Sequence, residues 1–145
     1  MSLKFLLDTN VIAVPTKAYP NERVMARLQA HRQEIATATV VWHELLYGCR
    51  RLPPSKRRRA IEAYLDEVVL PSIPFLPYDA MAARWHATER ARLEKLGQTP
   101  PFTDGQIAAI AAVNGLTLVT NNVADFTNFQ DLTVVDWSAV YDFSE

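Results

Sequence analysis

The stretch T-D-G-Q-I-A-A-I-A-A-V-N-G-L-T-L-V-T, residues 103–120, decides the fold. Thr103 and Gln106 stand at the T-x-x-Q spacing of a capping box, which satisfies backbone N–H groups left free in a first helical turn. Ile107, Ala108, Ile110 and Ala111 carry the helix to Asn114. Gly115 supplies the stop, because it enters left-handed backbone without a Cβ clash. Residues 116–120 then read as a strand. Working outward, the same alternation recurs. Residues 3–7 predict a short buried strand, 21–31 a helix with Val24, Met25 and Leu28 at helical spacing, and 35–38 a weaker strand. Thr39 is placed to cap a helix reaching about residue 50 or 51. A second helix is expected over 54–69, with Ile61, Tyr64, Leu65 and Val68 on its apolar side. Residues 73–76 are extended, Asp79 caps a long helix to about Leu96, Gly97 ends it, and Val134-Val135 form a last weak strand. Short strands alternating with helices predict a parallel sheet covered on both faces. The expectation is an α/β chain, one three-layer α/β/α domain over 1–145 with a short parallel sheet.

Composition narrows the function classes. At 145 residues and 16.4 kDa, two domains would each be near the size where cores become marginal. With 49% hydrophobic and 21% charged residues, the chain is neither disordered nor collagenous. Fifteen Lys+Arg against 16 Asp+Glu give no global positive field toward nucleic acid, so such binding needs a local patch. The single cysteine, Cys49, excludes an internal disulfide and a cysteine-rich zinc site. No apolar run is long enough to span a membrane. These features predict a soluble, cytoplasmic protein with no membrane partner.

In doubly wound sheets, ligands bind beyond the carboxyl ends of the strands, where strand order switches. Polar residues directly after strands are therefore the candidates. Asp8 ends the first strand, in D-T-N; it suits a helix cap or an Asx turn as well as a ligand role. Glu44 lies mid-helix on an apolar arc between Val40 and Val41, with Gly48 beside it, and a carboxylate there needs a partner or exposure. Asp104 shares the stripe of Ile107, Ala108 and Ala111, so it points inward; its position near a helix N-terminus is also favourable to the dipole. Asp125 follows the strand over 116–120, and Thr120 and Asn122 offer a hydroxyl and an amide at that strand's tip. Together these acids point to one end of one sheet. Like charges packed there force protonation unless a cation relieves them. Oxygen-only ligands with water retained favour Mg²⁺, with Mn²⁺ as the alternative. His31, His43 and His86 are scattered and read as surface or packing residues.

D-T-N-V after the first strand, then W-H-E-L-x-x-G, D-x-x-I-A-A, L-V-T-x-N-x-x-D-F and L-T-V-V-D-W occur in that order. In this ordered set the chain resembles PIN-domain proteins of the VapC toxin type over nearly its whole length. The resemblance implies a Mg²⁺-dependent ribonuclease encoded with a small antitoxin that wraps and inhibits it, commonly a homodimer. It implies that Asp8, Glu44 and Asp104 are the central catalytic and metal-holding acids. The fourth position falls on Asp125 or on Asn122; Asp125 is the assignment made, with Asn122 a polar helper. Thr9, Asn10 and Thr120 match the polar residues that steady the acids. The implied chemistry is in-line attack of metal-activated water on the phosphorus, with the 3′ oxygen leaving and no role for the ribose 2′-OH.

Arg50, Arg51, Lys56, Arg57, Arg58 and Arg59 place six basic residues in a ten-residue window. They are candidates for contact with RNA or with an acidic partner, or simply a solvated helix start. Trp42, Leu46 and Tyr47 extend around their helix, as a helix buried on two sides or an oligomer surface would show. Two other functions compete. One is a catalytically weak binding or regulatory module that dimerises and acts through a DNA-binding antitoxin. The other is a phosphatase using an aspartyl-phosphate, which needs a second acid two residues after Asp8, where this chain has Asn10.

Overall fold

The computed structural model describes residues 2–140. Met1 and residues 141–145, the ends of the expected domain, lie outside the described residues. Five strands form one parallel sheet in the order β3-β2-β1-β4-β5: β1 (Phe5–Leu7), β2 (Ile35–Ala38), β3 (Phe75–Leu76), β4 (Thr117–Val119) and β5 (Val134–Val135). The chain builds outward through β2 and β3, then returns to lay β4 on the other side of β1. The switch in strand order therefore falls between β1 and β4. Leu7 pairs with Thr37 on one side and Val119 on the other. Every residue of β2 is buried, as are Leu6, Leu7, Leu118 and Val119. Strands buried on both faces belong to a sheet covered by helices on each, as the sequence pattern predicted.

The helices are α1 (Thr9–Ile12), α2 (Glu22–Ala30), α3 (Thr39–Arg50), α4 (Lys56–Tyr64), α5 (Leu70–Ser72), α6 (Ala80–Lys95) and α7 (Phe102–Val113). Asn21, Ser55 and Asp79 cap α2, α4 and α6 through their side chains. Gly97 and Gly115 follow α6 and α7 at φ of 70° and 65°, the left-handed stop expected of both. Three strands are shorter than expected, beginning at Phe5, Phe75 and Thr117.

Three local expectations are corrected. Thr39 is the first residue of α3 rather than its cap, which is Ala38 with no side-chain bond. The Thr103–Gln106 capping box does not form. Pro101 takes the cap position and its carbonyl accepts from Gly105 N–H at 3.1 Å, so Thr103 and Asp104 are the second and third helical residues. Phe102 opens the helix with its ring 4.8 Å from that of His86. The third correction concerns the helix over 54–69. It starts at Lys56, and its end is a π segment, Leu65–Val69, in which Leu70 N–H bonds to Leu65 O. An i→i+5 turn inserts about one extra residue per turn and rotates the apolar face. Val69 is consequently buried at 1% exposure while Val68 is 52% exposed.

α6 and α7 approach closely at Gly105. A Cβ there would lie 2.1 Å from His86 Nε2, so only glycine admits the imidazole. His86 is buried, accepts or donates one bond at 2.8 Å between Nδ1 and the Tyr78 hydroxyl, and leaves Nε2 without a partner. Burial, then the Arg90 charge, holds its pKa below the usual value. It is a packing histidine, as expected from sequence.

The π turn makes a stability prediction. Val69→Ala removes two buried methyl groups and costs about 2 kcal/mol. Val68→Ala costs less than about 0.5 kcal/mol, as at other exposed positions. Urea unfolding midpoints of the two variants measure this; an inverted order would contradict the π-shifted face.

Candidate active site

Asp8 sits where β1 ends and α1 begins, at the switch point. Its backbone N–H donates to Val119 O at 2.9 Å, which locks the tips of β1 and β4 together. The side chain caps α1: Oδ1 accepts from Thr9 N–H at 2.8 Å. Oδ2 accepts from the Thr120 hydroxyl at 2.8 Å and from Asn10 Nδ2 at 3.4 Å. Asn10 also donates to Thr120 Oγ1 at 3.3 Å and accepts from Asn121 N–H at 3.0 Å. The cap reading and the site reading of Asp8 are thus both realised in one side chain. Asp8 is only 7% exposed. Burial raises its pKa; the hydrogen bonds from Thr120 and Thr9 oppose the rise, and the charge of Asp125 adds to it.

Glu44 comes from α3, half-buried, and its Oε1 accepts from the Thr9 hydroxyl at 3.0 Å. Thr9 therefore bridges the Asp8 turn to α3. Asp104 projects from the first turn of α7. Its carboxyl is pushed up to about 6, first by burial and then by the negative charges of Asp8, Asp125 and Glu44. That one group feels the other three acids: the structure gathers residues 8, 44, 104 and 125 into a single electrostatic neighbourhood. None of the four is ion-paired to a Lys, Arg or His among the described residues.

Asp125 ends a short 3-10 turn, Val123–Asp125, and is exposed. Its segment is pinned from below. Phe126 and Phe129 are buried, and Glu89 on α6 accepts from Gln130 N–H at 2.7 Å while bound by Arg92 through two 2.8 Å contacts. Asn122 takes part through its backbone N–H, which donates to Thr120 Oγ1 at 3.1 Å.

The donor set suits a hard divalent cation: a buried Asp8 carboxylate, three further acids and neutral oxygens, mutually repelling and without basic partners among the described residues. Among the described residues, no three His, Cys, Asp or Glu side chains are close enough to hold an ion by themselves.

The basic run divides. Arg58 turns to structural work, donating to Glu62 at 2.9 Å and to Leu52 O at 3.0 Å. Arg51 lies over the Tyr47 ring at 4.9 Å. Arg50, Lys56 and Arg59 are exposed. Arg57 alone of the six lines a cavity that Thr9 and Glu44 also line, together with Lys17 and Gly48. Sequence reasoning singled out neither Lys17 nor this role for Gly48. A lone lysine in a loop gives no signal, but a glycine in mid-helix does. Trp42 packs on Phe75 at 5.0 Å, and Tyr47 is exposed.

A family model described as PIN domain matches residues 5–131. This chain belongs to the PIN-domain family. Relatives of this PIN domain are of the VapC type. It is 33% identical over 137 residues to the tRNA(fMet)-specific endonuclease VapC of Shigella flexneri, covering 94% of this chain and 99% of the relative. Toxin FitB of Neisseria gonorrhoeae is 32% identical over 124 residues, 83% of this chain and 89% of FitB. Among solved structures, FitAcB from Neisseria gonorrhoeae superposes with a TM-score of 0.86 at 30% identity, covering 94% of this PIN domain and 99% of that chain. DNA-bound VapBC from Salmonella typhimurium gives 0.82 at 30% identity, with coverage of 93% and 98%. PIN-domain ribonucleases are in general metal-dependent. No helix among the described residues is long and apolar enough to cross a membrane.

The raised acids predict how stability varies with pH. The Asp104 carboxyl moves from 3.8 to about 6 on folding, so between those values the folded chain binds more protons than the unfolded one. Stability therefore falls as pH rises through that window. In metal-free buffer above pH ~6, Asp104→Asn is more stable than the parent by about 1 kcal/mol, allowing for solvent screening of a part-exposed group. Below pH ~4 the two converge. Urea midpoints at both pH values check this; a less stable variant at neutral pH would contradict mutual repulsion.

Proposed function

We propose that this chain is a metal-dependent endoribonuclease, the toxin of a toxin–antitoxin pair, acting in the cytoplasm as one PIN-like domain over residues 1–145. The observation that carries the reading is the gathering of acids at the switch point: Thr9 joins the Asp8 turn to Glu44 at 3.0 Å, Thr120 holds Asp8 at 2.8 Å, and burial with the charges of Asp8, Asp125 and Glu44 pushes the Asp104 carboxyl up. Such an assembly is unfavourable for folding and suits capture of a divalent cation. The relatives support the same reading through their names, VapC endonuclease and Toxin FitB.

Asp8 and Asp104 are the residues that would hold Mg²⁺ or Mn²⁺, with Glu44 and Asp125 completing the negative field. A bound ion of this kind supplies positive charge at the phosphate oxygens and acidifies water. Thr120, Asn10 and the Thr9 N–H fix the Asp8 carboxylate, so its orientation is set before substrate arrives. Glu44, steadied by Thr9, orients the attacking water and accepts its proton. The water oxygen bonds to phosphorus in line, the P–O3′ bond breaks, and the 3′ oxygen leaves and takes a proton from solvent water. The products are a 5′-phosphate and a 3′-hydroxyl. No imidazole is required, and none of the three histidines is needed at the acids.

A small antitoxin partner and a homodimer belong to the same proposal. Structural relatives include VapBC and FitAcB assemblies, one of them DNA-bound, and one described as a member of a toxin–antitoxin family.

A labelled RNA cleavage assay tests the nuclease. Cleavage requires Mg²⁺ or Mn²⁺ and stops in EDTA. Asp8→Asn and Asp104→Asn each lower kcat at least about 100-fold, as expected on losing several kcal/mol of charge stabilisation, with unchanged far-ultraviolet circular dichroism. Full activity in either variant would remove that residue from the site. Absence of cleavage by the parent with either ion would favour the regulatory-module alternative. Cation binding also competes with protons at the raised carboxyl. Apparent Mg²⁺ affinity, read from thermal midpoints, therefore weakens as pH falls through about 6.

A further inference from the structure

A cavity of about 250 Å³ opens beside the acids, between α3 and α4. Thr9 and Glu44 form one wall, so it is continuous with the site. Leu45, Ile61 and Leu65 give it apolar lining, and Lys17 and Arg57 stand at its exposed side. Neither cation is ion-paired among the described residues. Gly48 also lines it, and a Cβ at that position would meet nothing within 4 Å. Glycine in mid-helix weakens the helix, and no neighbouring atom requires it here. Its consequence is open space at this part of the lining.

The cavity joins three kinds of lining: Glu44 of the acidic site, the apolar side chains of Leu45, Ile61 and Leu65, and the cations Lys17 and Arg57. An extended single strand of RNA offers a counterpart to each: a scissile phosphate for an ion held by the acids, a base with two apolar faces, and a next phosphate for the cations. Single-stranded RNA is recognised by splaying bases into such slots, while Arg and Lys take the phosphates. An acidic peptide would match the cations but leave the apolar slot and the neighbouring Glu44 unmatched. We propose that this cavity is a nucleotide subsite: it seats the base of the nucleotide flanking the scissile phosphodiester, and Lys17 and Arg57 bind the phosphate beyond it. The proposal takes its ligand class from the ribonuclease reading, and its test is independent of turnover.

The test titrates nitrogen-15-labelled full-length protein, in EDTA, with each of the four nucleoside 5′-monophosphates and, separately, with ribose 5-phosphate. At least one nucleotide shifts the amides of Gly48, Cys49 and Arg57 saturably, and binds about ten-fold tighter than ribose 5-phosphate. Gly48→Leu fills the slot and weakens that binding at least about ten-fold while the melting temperature holds or rises. Arg57→Ala, at an exposed position that leaves the fold intact, weakens it several-fold. Equal binding of ribose 5-phosphate, nucleotide binding unaffected by Gly48→Leu, or no shift at these amides would overturn the subsite. So would saturation of the same amides by a short polyglutamate peptide and by no nucleotide. Failure of the nuclease reading looks different: nucleotides bind the cavity, and no cation produces RNA cleavage.

Discussion

The structure depends on how Asp8 is fastened. Its backbone N–H reaches across to Val119 at 2.9 Å, and its carboxylate takes the Thr120 hydroxyl at 2.8 Å. Those two bonds join the ends of β1 and β4, the two strands between which the sheet reverses direction of growth. They also hold a carboxylate almost out of water. Hydrogen bonds at this strength offset part of the desolvation but not all of it, since the carboxyl still sits above its ordinary value. A residue that served only as a cap would gain nothing from being placed near three further acids. The local bonding fixes the orientation of the Asp8 carboxylate.

The other acids are brought to that point by separate devices. Glu44 arrives on α3 and is tied to the Asp8 turn by Thr9. Asp104 arrives on α7, whose first turn is set by Pro101 and by the close fit of His86 against Gly105. Asp125 arrives on a loop anchored by Phe126, Phe129 and the Glu89–Arg92 pair. Four segments far apart in sequence thus meet at the carboxyl end of the central strands. A scaffold of strands and helices holds such a constellation better than loops would, because each side chain inherits the position of a packed element.

The parts legible in the sequence were those governed by local chemistry. Asn21 and Asp79 as caps, Gly97 and Gly115 as stops, and the alternation of strands with helices all depend on neighbours in the chain. So did the placing of Asp8 and Thr120 at strand tips. What the sequence hid was set by tertiary contact. The π turn at Leu65–Val69 moves burial from Val68 to Val69, and no spacing rule forecasts it. Pro101 takes the cap position in place of the capping box, and Phe102 beside it packs on His86, a contact across sixteen residues of chain. Arg58 resembles its basic neighbours in sequence and differs only in facing Glu62. Lys17 gains meaning only from the cavity it borders.

The central proposal is that Asp8 and Asp104 hold a divalent cation within the negative field of Glu44 and Asp125. Substoichiometric Mn²⁺ added to the nitrogen-15-labelled protein reports this directly, because its unpaired electrons broaden amide signals steeply with distance. The account predicts that the first signals lost are those of residues 8–10, 44, 104–105 and 120–125, together and at the same Mn²⁺ ratio, and that excess Mg²⁺ restores them. Broadening centred on any other part of the chain, or loss of only one of these segments, would contradict it.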